Sequence, residues 1–211
     1  MNTMTSDADW TIRPRVGLGR IEFGMSPAQV DALSATYGVI SGRGADRVAD
    51  DMLRETLAMF GDAMSEDEKQ AFIAEYTGSG PSADSVTETR GDLVLRYEAD
   101  RLCEIMPAHP RRPLFLDGSD LFALAGLDAL RLLERCNQAP GRYADTAAEF
   151  DRIAITVDGF SAHDSTAGLL ALDDSDERFR ARTVLLRNAA YRPEQDMQRY
   201  TVHSLPPATD R

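Results

Sequence analysis

Long apolar runs are missing from this 211-residue chain, and so are most of the residue sets that carry ready-made chemistry. No window approaches the ~20 consecutive apolar residues of a membrane-spanning helix. Residues 1–9 have neither the basic segment nor the apolar run of a secretory signal, which predicts a cytoplasmic protein. Cysteine is scarce. Cys103 and Cys136 lie far apart in otherwise apolar patterns, so reduced, buried thiols are expected rather than a disulfide. The three histidines, His109, His163 and His203, show neither H-x-x-x-H nor Cys/His ligand spacing, which argues against a structural zinc site. Lys69 is the single lysine, and the predominance of arginine reads as a coding bias. Positive charge is short as well: a net charge of −12 would repel nucleic acid and anionic membranes alike, while leaving a basic protein partner open.

Catalytic signatures are equally thin. There is no G-x-S-x-G elbow. Gly17, Gly19 and Gly24 have the wrong spacing for G-x-G-x-x-G and do not follow the strand, glycines, helix order that dinucleotide binding needs. His163, Asp164 and Ser165 are adjacent, whereas a triad converges from separate elements. The acidic stretch Asp173-Asp174-Ser175-Asp176-Glu177 lacks the glycine and terminal glutamate of an EF-hand loop. Neither cysteine has the basic or helix N-terminal setting that lowers a thiol pKa. The expectation is therefore a protein that is not an enzyme and needs no cofactor or metal.

With 43% hydrophobic and 27% charged residues, the chain has the make-up of an ordinary globular protein. Residues 12–37 are its best specified stretch, reading as a short strand feeding a capped helix. Ser26 suits the N-cap and Pro27 the first helical position, while Gln29 is placed to close a capping box. Met25 and Val30 can form a hydrophobic staple; Val30, Leu33 and Tyr37 continue one apolar stripe, and Gly38 ends it. The run Gly-Leu-Gly-Arg-Ile-Glu-Phe-Gly-Met-Ser-Pro-Ala-Gln-Val resembles the opening of small bacterial helix-plus-sheet modules of the beta-lactamase-inhibitor-protein-like and small outer-membrane-assembly lipoprotein folds, some of whose uncharacterised relatives resemble immunity proteins. The match covers residues 16–33, with a weaker echo over 93–105. It implies binding to another protein and offers no catalytic residues to carry over. Two departures accompany it: no lipidated cysteine follows a signal segment, which argues against an envelope lipoprotein, and a long insertion separates helix from hairpin.

That insertion, residues 45–80, reads as a helical hairpin. Ala49, Met52, Leu53, Leu57 and Phe60 share one helical face, and Ser65 with Glu68 opens a second helix through another capping box. Between residues 46 and 80 nine acids face three bases, half of the chain's excess negative charge. Asp46, Asp50, Asp51, Glu55, Asp62, Glu66 and Asp67 are the candidate partner-binding residues, although solvated helix faces would look the same. Leu93, Leu95 and Tyr97 alternate as a strand returning through Leu102 to Ile105. The prolines of residues 109–113 suggest a linker. Beyond it come a strand at residues 114–116, an Asp117-Gly118 turn and an apolar helix carrying Leu121, Leu124, Leu127, Leu130 and Leu133. Strands follow at Ile153, Ile155 and Val157, at 183–186 and at 200–202, before a tail at 206–211.

The sequence thus predicts an α+β protein of two helix-plus-antiparallel-sheet halves, residues 1–108 and 114–205, compatible with a tandem repeat, the first half carrying the inserted hairpin. Its expected role is binding another, basic protein, as an immunity-type neutraliser of a toxin. The rival from another class is a small-molecule-binding protein or unfamiliar enzyme with a pocket between the halves, near His109, Arg111 and Arg112.

Overall fold

The computed structural model describes residues 7–46, 55, 57, 64–79, 82, 84–107, 112–164, 168–191 and 197–205. A short 3-10 turn at Asp7–Trp10 leads into three two-residue strands, β1 (Ile12–Arg13), β2 (Gly17–Leu18) and β3 (Ile21–Glu22), paired in that order as a small antiparallel sheet. Gly19 turns the chain between β2 and β3 with φ +53°; a Cβ there would collide with the Asp9 carbonyl and the Tyr37 hydroxyl, so only glycine fits. The expected helix then forms, but in two pieces, α1 (Pro27–Asp31) and α2 (Ser34–Tyr37). The Ser26 capping box is complete: the Ser26 N–H donates to Gln29 Oε1 at 2.8 Å, and the Gln29 N–H to Ser26 Oγ at 3.4 Å. Val30 and Tyr37 are buried from the predicted stripe, and Gly38 ends α2 with φ +89°.

One antiparallel sheet of nine strands organises the remainder. Its members are β4 (Ile40–Ala45), β5 (Ser85–Arg90), β6 (Leu93–Glu98), β7 (Arg101–Pro107), β10 (Arg142–Ala144), β11 (Ala147–Phe150), β12 (Ile155–Asp158), β15 (Thr183–Arg187) and β16 (Thr201–Val202). They lie in the order β16-β10-β11-β12-β15-β7-β6-β5-β4. Strands β4 to β7 run as successive neighbours, as do β10, β11, β12 and β15, and the two groups meet where β15 pairs β7 through Leu186↔Ile105 and Arg187↔Glu104. Between β4 and β5 lies α3 (Glu66–Ser79), opened by the second predicted capping box: Glu68 Oε2 accepts from the Ser65 N–H at 2.7 Å, and Ser65 Oγ accepts from the Glu68 N–H at 3.3 Å. The first helix predicted in the insertion lies outside the described residues, save Glu55 and Leu57.

The hairpin β8 (Phe115–Leu116) and β9 (Ser119–Asp120) brackets the predicted Asp117-Gly118 turn, and α4 (Gly126–Asn137) follows. A second hairpin, β13 (Ser161–Asp164) with β14 (Gly168–Ala171), and the short α5 (Glu177–Arg180) complete the elements of the described residues. α4 begins five residues later than the leucine pattern suggests, because Leu121 and Phe122 enter the core from a turn ahead of it.

Period-two alternation decides which face of the sheet is buried. Leu93, Leu95 and Tyr97 of β6, Leu102 and Ile105 of β7, Val184 and Leu186 of β15, Ile155 and Val157 of β12, and Ala148 and Phe150 of β11 occupy one face by their register. Val30, Tyr37, Leu130, Leu133 and Phe179 join them from α1, α2, α4 and α5 in a single hydrophobic cluster. Arg182 is buried in that cluster's flank, its guanidinium 4.0 Å from the centre of the Phe179 ring and donating to the carbonyls of Phe179 (2.6 Å) and Phe122 (2.5 Å). No described helix is long and apolar enough to cross a membrane.

Candidate functional site

The opposite face of the nine-stranded sheet holds a continuous row of charged and polar side chains. Register places Arg96 beside Glu104, Glu104 beside Arg187, Thr156 beside Glu149 and Glu149 beside Arg142. Glu104 Oε1 accepts from Arg96 Nη2 at 2.7 Å and from Arg187 Nε at 2.8 Å. Arg187 also donates to the Thr156 hydroxyl, which donates in turn to both Glu149 oxygens at 2.8 and 2.9 Å. Arg142 closes the row on Asp151 at 2.5 Å. Cross-strand pairs of opposite charge stabilise a sheet only modestly, so what the row chiefly supplies is fixed position.

The two carboxylates in the row behave differently. Burial pushes the Glu104 carboxyl upward, but hydrogen bonds from Arg96 and Arg187 outweigh it and hold the group below the usual carboxylate range. At Glu149 burial dominates. Its carboxyl is only 4% exposed and is pushed up to about 7, against the opposing Thr156 hydrogen bond and the charges of Arg187 and Arg142. Val94, Met106 and Leu185 sit half-buried among these charges. Two residues beyond β15 touch this face: the Tyr191 ring lies 4.6 Å from the Arg187 guanidinium, and Met197 Sδ accepts from Arg142 Nη1 at 2.7 Å.

On the core side of the same sheet, Glu88 and Arg90 of β5 form a fully buried ion pair, with Arg90 Nε donating to Glu88 Oε1 at 2.8 Å. Arg43 of β4 approaches Glu88 at 3.9 Å, and Asp31 of α1 approaches Arg90 at 3.7 Å. Burial, and secondarily the Glu88 charge, raise the Tyr97 hydroxyl pKa. Breaking such a pair would strand a charge in the core, which gives it a structural role.

Four of the seven predicted acidic residues, Asp46, Glu55, Glu66 and Asp67, lie within the described residues. Asp46 caps the end of β4, its Oδ2 accepting from Ser85 Oγ at 2.5 Å, and is thus engaged internally. Glu66 and Asp67 stand exposed in the first turn of α3, where Glu66 pairs with Lys69 at 2.9 Å, and Glu55 is exposed. Asp50, Asp51 and Asp62 lie outside the described residues, as do His109 and Arg111. Arg112 pairs with Asp92 at 2.7 Å and stacks over Trp10. Both cysteines are free thiols, and burial raises their pKa, Cys103 to about 11.

Two hollows bear on the rival reading. Between β1 and α4 an open depression of about 340 Å³ is lined by Ile12, Pro14, Leu116, Arg135, Cys136 and Ile153 among others. A more enclosed cavity of about 290 Å³ lies beside α4, walled by Leu127, Leu130, Leu169, Ala171 and Leu205 with His203 and Ser204 at its polar edge. His203 meets His163 there, Nε2 to Nε2, at 2.8 Å. Spacing along the chain hides this pair, because its members come from elements 40 residues apart.

Compared with protein-family models, curated proteins and solved structures, the chain matches none of them.

Proposed function

We propose that this chain is a non-enzymatic, cytoplasmic protein-binding module, an immunity-type neutraliser in its most specific form, which reads its partner with the sheet face remote from the core. The observation that carries this reading is the row from Arg96 to Arg142. Hydrogen bonds hold its side chains from Arg96 through Glu104, Arg187 and Thr156 to Glu149, with Arg142 beside Glu149 on the sixth strand, and all of them except the buried Glu149 are partly accessible, so little ordering entropy is lost on contact. The exposed acids Glu55, Glu66 and Asp67, with the chain's net charge of −12, add a field that favours a basic partner and its rate of encounter.

The test compares the wild-type chain with a Thr87→Arg, Val94→Glu variant, which places bulk and charge on that face away from the core. Partners are captured from the native host at low and moderate salt, and folding is checked by circular dichroism. The expected result is a partner held by the wild type, more weakly at higher salt, and lost by the folded variant. Recovery of no partner at either salt, or of one indifferent to the substitutions, overturns the reading. The small-molecule alternative draws its support from the cavity beside α4, whose volume of about 290 Å³ sits at the small end of ligand pockets.

A further inference from the structure

His163 and His203 are aimed at each other by the backbone. The His163 N–H donates to the Asp145 carbonyl at 2.5 Å, and the His203 N–H to the Gly141 carbonyl at 3.4 Å. Gly141 and Asp145 flank the three-residue strand β10, so the two anchors bracket one short, rigid element. Tyr143, at its centre, is fully buried and packs edge-on against the His203 ring at 6.2 Å, while its hydroxyl donates to Glu134 Oε1 at 3.2 Å. Both imidazoles consequently present Nε2 to the same point, their ring centres 4.7 Å apart.

Two nitrogens so placed can share a proton, which requires opposite tautomers, or both lone pairs can be given to one cation. Two imidazoles on a tetrahedral ion with metal–nitrogen bonds near 2.0–2.1 Å stand roughly 3.3 Å apart, so the present 2.8 Å separation needs to open by only about half an ångström. Among the described residues no third histidine, cysteine or carboxylate joins the pair. The remaining coordination positions would fall to water or to a ligand in the cavity that His203 and Ser204 border.

We infer that His163 and His203 form a two-histidine site for a borderline first-row transition ion, Zn²⁺, Co²⁺, Ni²⁺ or Cu²⁺, opening onto the cavity beside α4. Imidazole ligation selects these ions over Ca²⁺ and Mg²⁺, which prefer oxygen. The inference is independent of the protein-binding reading, because the pair contributes nothing to the row of charges from Arg96 to Arg142.

The test is calorimetric titration of the tag-free, chelator-treated chain with Zn²⁺ alone and with Mg²⁺ alone, followed by Co²⁺ absorption spectra. One Zn²⁺ per chain with micromolar affinity is expected, with no Mg²⁺ uptake. His163→Ala and His203→Ala should each weaken Zn²⁺ binding by about tenfold or more, while His109→Ala leaves it unchanged. Absence of 1:1 uptake, or uptake insensitive to both substitutions, overturns the site. Should the alanine variants unfold, histidine ring resonances of the wild type decide: selective loss of the His163 and His203 signals on adding Co²⁺ supports the site, and loss of neither refutes it.

Discussion

Glu104 and Glu149 lie on the same face of one sheet and hold their protons in opposite ways. Two arginine donors reach Glu104, whereas Glu149 receives a single hydroxyl and keeps its nearest guanidinium, that of Arg187, at 3.9 Å. Burial therefore governs Glu149 and lifts its pKa from the ordinary 4.5 to about 7. The folded chain binds this proton more tightly than the unfolded chain does. Stability from this group is thus fully present below pH 4.5 and is lost as the pH rises to about 7. Glu149→Gln keeps an acceptor for Thr156 without the charge. Urea denaturation should find the variant more stable than the wild type at pH 8, by about 2–3 kcal/mol, with the difference vanishing near pH 4.5. Equal differences at both pH values would show that the carboxyl titrates normally.

Among the elements, α1 depends on its cap more than a longer helix would, since five residues cannot sustain a helix by propagation alone. Ser26→Ala removes the acceptor for the Gln29 N–H and should cost about 1 kcal/mol in chemical denaturation, with Ser26→Asp restoring most of it. This box was legible in the sequence because capping is a local chemistry written in four residues. So were β6 and β7, where Leu93, Leu95 and Tyr97 alternate cleanly, and the α+β class follows from such segments. β5 is illegible in the sequence because Glu88 and Arg90 occupy core-facing positions and break the apolar alternation that marks a strand. β10 and β11 were hidden by their brevity and by Glu149 and Arg142 on the outer face. The row of charges, like the histidine pair, was illegible for a different reason: its members come from strands far apart in the chain, and only the register brings them together.

At the scale of the molecule, residues on both sides of the proline-containing segment 109–113 share a single apolar cluster, in which Trp10, Ile12, Leu95 and Ile105 accompany Leu114, Leu133 and Phe150. Residues 1–108 alone would leave one side of that cluster and the β7 edge open to water. The intact chain is expected to unfold in one transition, with circular dichroism and tryptophan fluorescence coinciding, and the 1–108 fragment to lack a cooperative transition; two separated transitions in the intact chain would instead assign each half its own stability. The join between β7 and β15 has a further consequence for how the native state is reached. Glu104 and Arg187 are 83 residues apart, and among the described residues two register pairs sew this seam. Closing so long a loop costs entropy before any contact rewards it, so the meeting of the two strand groups is expected to be the slowest step of folding.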